Sequence, residues 1–141
     1  MTVTPKKQTA VQGLGEIALR VKNLDSMQRF YEDVIGLPLL KRFPGSAFFS
    51  IAEGYGGHTQ VLALFDRSES SDYRPPDAVT STIDHLAFEV SLADFDSERQ
   101  RLESLGIPVE TAEHKWVHWR SLYVTDPEGN QVELVCYDKS L

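Results

Sequence analysis

With 141 residues, 41% of them hydrophobic and 25% charged, the chain is long enough for one domain with a sizeable core. A formal net charge of −7 disfavours nucleic acid and anionic membrane as partners, because both are bound through basic patches. The single cysteine, Cys136, permits no intrachain disulfide and suits a reducing compartment; with no signal-like segment and no apolar run near ~18 residues, the expectation is a cytoplasmic protein.

Residues 1–12 are polar and aperiodic, which predicts a mobile tail ahead of one domain at 13–141. A first strand is expected over Leu14–Val21, with Ile17, Leu19 and Val21 on one face and Glu16, Ala18 and Arg20 on the other. Asp25 or Ser26 is expected to cap a helix to Ile35, whose stripe is Met27, Phe30, Tyr31 and Val34, with Gly36 as its stop. Leu37–Lys41, Ala47–Ala52 and Thr59–Phe65 read as three strands joined by turns at Pro44-Gly45 and Gly54–Gly57. This is a β-α-β-β-β module, at about 13–66.

A polar, proline-bearing linker covers 67–81, and then the pattern restarts in a second module at about 82–138. Ile83–Val90 reads as a strand, and Leu92–Leu105 as a helix carrying Phe95, Arg99, Leu102 and Leu105, stopped by Gly106. Strands are expected near Pro108–Thr111, Trp119–Thr125 and Gln131–Tyr137, the last two joined by the turn Asp126-Pro127-Glu128-Gly129.

The two halves are an internal repeat. Glu16-Ile-Ala-Leu-Arg-Val21 precedes His85-Leu-Ala-Phe-Glu-Val90 by 69 residues, and Gly36-Leu-Pro-Leu39 precedes Gly106-Ile-Pro-Val109 by 70. Leu62-Ala63-Leu64 precedes Val132-Glu133-Leu134 by 70. The fold class predicted is α+β: two βαβββ modules forming a curved mixed sheet around a cavity, with both helices outside and an approximate two-fold axis between the modules.

Polar residues fall at matching places in the repeat. Glu16 and His85 share one position of the first strand, Ala63 and Glu133 one position of the fourth, all facing away from the helices. If both modules line one cavity, Glu16, His85 and Glu133 meet there. Two carboxylates ~4 Å apart repel by ~4 kcal/mol at an effective dielectric near 20. A divalent metal removes that repulsion, and these side chains are suitable ligands.

Ala18-Leu-Arg-Val-Lys-Asn-Leu24, Phe30-Tyr-Glu-Asp-Val-Ile-Gly36 and Asp126-Pro-Glu-Gly-Asn-Gln-Val-Glu-Leu134 resemble recurrent motifs of the vicinal oxygen chelate superfamily. That superfamily spans glyoxalase I, bleomycin-resistance proteins, fosfomycin-resistance thiol transferases, methylmalonyl-CoA epimerase and extradiol dioxygenases. The resemblance covers Leu14–Tyr137. It implies metal ligands at the positions of Glu16, Ala63, His85 and Glu133. Glu16 stands where the family usually has a histidine, and Ala63 supplies no donor where glyoxalase I has glutamate and the epimerase glutamine. The implied cofactor is a divalent metal, Fe²⁺ or Mn²⁺ foremost, with Zn²⁺ or Ni²⁺ compatible.

His114, Leu122-Tyr123, Asp126-Pro127, Gly129 and Glu133 resemble the extradiol signature, from which Ala112 departs. The resemblance implies bidentate chelation of a small oxygen-rich substrate, with His114 or His118 handling a proton and Tyr123 hydrogen-bonding a substrate oxygen. Arg20, Trp119 and Ala63 are the expected substrate-contacting positions. Arg20 either binds a substrate anion or pairs with Glu89 across the pseudo-axis. Alternatives are a glyoxalase-like lyase or isomerase, a thiol transferase, and a metal-free ligand-sequestering protein. The expected assembly is a homodimer, with the modules pairing either within a chain or between chains.

Overall fold

The computed structural model describes residues 9–141, so Met1–Gln8 of the expected tail lie outside the described residues. Strands β1 (Glu16–Val21), β2 (Leu39–Phe43), β3 (Ser46–Glu53) and β4 (Thr59–Asp66) form one sheet in the order β1-β4-β3-β2. Strands β5 (His85–Glu89), β6 (Glu110–His114), β7 (Trp119–Thr125) and β8 (Gln131–Tyr137) form a second sheet in the order β5-β8-β7-β6. In each, the outer first strand runs parallel to the fourth and the other pairings are antiparallel. The mixed sheet expected from the repeat is thus two sheets of identical topology, one per module. The repeat holds at the level of register: Ala18 pairs with Ala63, and Ala87 pairs with Glu133.

Helix α1 (Leu24–Arg29) is capped by Asn23, whose side chain accepts from Ser26 N, one turn boundary earlier than the Asp25 or Ser26 cap expected. It continues as a π-helical turn over Phe30–Ile35, where Gly36 N and Leu37 N both donate to Tyr31 O. The wider turn buries Ile35 beside Phe30 and Tyr31, and leaves Val34 only partly covered. Gly36 ends it at φ 91, a conformation that glycine adopts without strain. Helix α2 (Leu92–Ser104) is capped by Ser91 and buries Phe95 and Leu102. Leu105, expected on its stripe, is exposed because it lies past the last full turn.

Strands β2 and β6 begin two residues later than the apolar pattern suggested, and β6 extends to His114. The sequence Gly-x-Pro ahead of each is the cause: proline has no N–H to enter a ladder.

The modules meet through their helical sides. The Tyr31 hydroxyl donates to Asp126 Oδ2 at 2.7 Å, and Lys22 N and Asn23 N donate to the Glu128 carboxylate at 2.8–2.9 Å. From α2, an Arg101 Nη donates to Val34 O at 2.6 Å. The opposite face of each sheet therefore stays open. Glu16, Ala18 and Arg20 on β1 are exposed, as are His85, Ala87 and Glu89 on β5, while the alternate residues Leu19, Val21, Leu86 and Phe88 are buried. Among the described residues, no helix is long and apolar enough to cross a membrane.

Candidate metal centre

Strand alternation places His85 (β5), Glu133 (β8), Ser121 and Tyr123 (β7) and His114 (β6) on the open face of the second sheet. Tyr123 is directly opposite Glu133, and Ser121 opposite Val135, the next residue on that face. His85 Nε2 lies 3.1 Å from Glu133 Oε1, with the Glu133 side chain 6% exposed and that of His85 38%. The Ser121 hydroxyl, fully buried, donates to Glu133 Oε2 at 2.5 Å. On the other side of the ring, His85 Nδ1 lies 2.6 Å from Asp84 Oδ1.

A histidine between two carboxylates needs a positive partner at both nitrogens. Either both carry protons, or Nδ1–H donates to Asp84 and Nε2 with Glu133 shares a cation. The 3.1 Å spacing is that of a hydrogen bond and also admits the second arrangement. Neighbouring ligands at right angles on an ion with bonds of about 2.1 Å lie about 3.0 Å apart. The nitrogen and oxygen donors of His85 and Glu133 thus fit a divalent metal.

The third expected ligand is elsewhere. Among the described residues, no three His, Cys, Asp or Glu side chains gather in a metal-binding group, so Glu16 does not join His85 and Glu133 within one chain. Of the two arrangements left open by the sequence, modules lining a cavity within one chain or between chains, the single chain does not bring these three side chains together. The modules pack by their helical sides, which turns the open faces away from the contact. Ala63 is buried and offers no donor.

His114 Nε2 is 3.1 Å from the Tyr123 hydroxyl, and the Tyr123 ring stands edge-on to His85 with centroids 6.3 Å apart. His118 is engaged differently. It sits at φ 61, its Nδ1 lies 2.5 Å from Leu141 O, and its ring packs on Tyr137 at 5.8 Å. Trp119, across from Tyr137 and 41% exposed, shares the open face, whereas Trp116 is 85% exposed in the β6–β7 connection. His58, at the end of the turn before β4, has Nε2 3.0 Å from Gly15 O. Arg20 has no carboxylate within 4.0 Å among the described residues, so the expected pair with Glu89 does not form.

The model of the glyoxalase/bleomycin resistance protein/dioxygenase superfamily matches residues 13–134. The chain belongs to this superfamily. It is similar to glutathione transferase FosA of Serratia marcescens, 30% identical over 88% of this chain and 80% of that protein. It is also similar to biphenyl-2,3-diol 1,2-dioxygenase 3 of Rhodococcus globerulus, 30% identical over 95% of this chain and 64% of that protein. The crystal structure of lactoylglutathione lyase from Agrobacterium tumefaciens superimposes with a TM-score of 0.65, 31% identity, and coverage of 92% of this chain and 96% of that one.

Set against the superfamily pattern, Ser121 and Asp84 are the polar residues that sequence reading passed over. Ser121 carries a readable signal: it is two residues from Tyr123 on one strand and so shares its face. Asp84 carries none, since it is an exposed acid just ahead of β5 whose value depends on where His85 points.

Proposed function

We propose that this superfamily member is a divalent-metal enzyme acting on a small oxygen-rich molecule, and that its metal is held by His85 and Glu133 of one protomer and Glu16 of a second copy. The observation that carries this reading is the close pairing of the exposed His85 Nε2 with the buried Glu133 Oε1 on the open sheet face. Glu16 stands on the equally open face of the other module, so a homodimer that lays one face against the other supplies the missing carboxylate. When bound, the metal acts as a Lewis acid that holds two adjacent substrate oxygens and offsets developing negative charge. Fe²⁺ and Mn²⁺ are the first ions to test, then Zn²⁺ and Ni²⁺.

Within this reading the chemistry is extradiol-type oxygenation of a catechol. Ser121 holds the Glu133 carboxylate and Asp84 holds the His85 ring, so both donors present one fixed orientation. The hydrogen-bonded His114–Tyr123 pair stands beside them. Tyr123 hydrogen-bonds a substrate oxygen, and His114 takes up and returns the proton. Trp119 supplies an apolar wall, and Ala63 leaves room where a longer side chain would reach in.

Glutathione transfer, as the name of the Serratia relative describes for that protein, is the second reading, favoured by that 30% identity and by the lack of a donor at Ala63. The two separate after anaerobic reconstitution with Fe²⁺ or Mn²⁺ and addition of catechols under air. Oxygen uptake with a yellow ring-opened product supports the extradiol reading. A bound metal with no uptake over a broad catechol panel overturns it in favour of thiol transfer or isomerisation. Less than a tenth of an equivalent of any of the four metals overturns the metalloenzyme itself and leaves a ligand-sequestering protein.

A further inference from the structure

Residues 73–83, from the linker into the start of the second module, run beside β1 and leave a cleft of about 430 Å³. Two guanidinium side chains line it, Arg20 from the open face of β1 and Arg74 from the linker. Arg42, Arg99, Arg101 and Arg120 are each committed to a carboxylate, whereas Arg20 and Arg74, like Arg29 and Arg67 elsewhere, have none within 4.0 Å among the described residues; one Arg74 Nη donates to Tyr73 O at 2.9 Å. Collecting two uncompensated cations at one recess of a chain with net charge −7 prepares that recess for an anion.

The cleft's own acid does not fill this role. Asp77 Oδ1 accepts from Val79 N at 2.9 Å and so serves its own turn. Tyr73, also in the lining, has a buried hydroxyl with no hydrogen-bond partner. That hydroxyl has no surface open to the cleft, so Tyr73 contributes its ring edge to the wall and the anion-binding groups are the two guanidinium side chains. Pro75 and Pro76 form a wall of fixed backbone φ, which holds the linker's shape before anything binds.

We propose that this cleft binds the oxyanion head of a small organic molecule, a phosphate monoester or a carboxylate, between Arg20 and Arg74. The guanidinium forks match either head in bidentate geometry. The volume is that of a small-molecule site and exceeds the needs of an inorganic ion, leaving space for an organic body against the two prolines. The cleft shares no lining residue with the His85, Glu133, Tyr123 and His114 cluster, but its Arg20 stands on the same open face of β1 as Glu16, so binding is read on metal-free protein to keep this site separate from the metal reading.

The test is calorimetry on chelator-treated full-length protein, titrated separately with phenyl phosphate, benzoate and inorganic phosphate. Saturable binding of phenyl phosphate or benzoate, weakened at least tenfold in both Arg20→Gln and Arg74→Gln and unchanged in the exposed control Arg29→Gln, is the expected result. The tighter of the two organic probes then identifies the head group, and inorganic phosphate reports how much the head alone contributes. Three outcomes overturn the proposal: no saturable binding of either organic probe, full binding in both cleft variants, or equal weakening in Arg29→Gln, which reduces the effect to net charge. Circular dichroism of the variants guards against misfolding, which these exposed substitutions are not expected to cause.

Discussion

The Tyr31 hydroxyl of the first module donates a 2.7 Å hydrogen bond to Asp126 Oδ2 of the second, and both side chains are buried. Burial and the adjacent Asp126 carboxylate push the Tyr31 phenol far above its ordinary range, so it remains a donor at every working pH. Asp126 also accepts from Glu128 N, Asn130 N and Asn130 Nδ2, so this one carboxylate organises the β7–β8 turn and ties it to α1. Tyr31→Phe should lower unfolding free energy by about 1.5–3 kcal/mol, the range for a lost hydrogen bond to a charged group, as read by denaturant titration. A change below about 0.5 kcal/mol would mean that the other three donors satisfy Asp126 alone.

Periodicity made both helices and the repeat readable, because burial of one face is a local demand that each residue meets for itself. Leu19 and Val21 went in, and Glu16, Ala18 and Arg20 stayed out, as alternation required. The relation between modules was not readable in the same way. Alternation says which face Glu16 and His85 occupy, but not which other surface that face opposes. That choice rests on Tyr31–Asp126 and Glu128 with Lys22 and Asn23, contacts about a hundred residues apart in the chain. Ser121 escaped although its face was readable from Tyr123 two residues on, because a serine's role there appears only with the Glu133 carboxylate beside it.

Ser121→Ala removes the donor that fixes Glu133 while leaving both proposed ligands in place. A supporting partner of this kind typically contributes 10–100-fold to metal affinity. The variant should lose Mn²⁺ or Fe²⁺ to a competing chelator at about 10–100-fold lower chelator strength. Unchanged retention shows that Glu133 holds its position without the hydroxyl.

His114→Ala should slow turnover by about 10²–10⁴-fold while metal content stays at the wild-type level, as expected for a positioned acid–base group. His118→Ala should have little effect on turnover, because its ring is held by the C-terminal segment. Steady-state rates with metal analysis on the same samples check both. If the two effects are reversed, the proton role belongs to His118.

Asp138 gives the fold an acid-sensitive point. Hydrogen bonds from the Ser140 hydroxyl, the Arg120 guanidinium and Ser140 N hold its pKa at about 2, below the ordinary 3.8. A carboxylate lowered on folding contributes stability that is fully present above its unfolded pKa and lost as pH falls toward the folded one. Wild type should therefore be more stable than Asp138→Asn at neutral pH, and the gap should close between about pH 4 and about pH 2. Denaturant midpoints across that range read it directly; a gap that persists at about pH 2 removes the ionisation from the explanation.

The proposed metal centre, shared between two chains, makes a prediction that no in-chain site can meet. Glu16→Gln and Glu133→Gln should each bind metal poorly as homodimers, since each lacks one carboxylate at both sites. When the two variants are unfolded together and refolded as a mixture, about half of the dimers are hybrids by random pairing of a two-fold assembly. Each hybrid has one site with both substitutions and one site with neither, because Glu16 and Glu133 of a site come from different chains. The mixture should therefore recover about a quarter of the wild-type metal and activity. If every site is built within one chain, each site in the mixture keeps one substitution, and recovery stays at the level of the separate variants. Size-exclusion chromatography with light scattering, run on the same refolded sample, establishes that dimers formed and so separates failure of assembly from failure of the shared site.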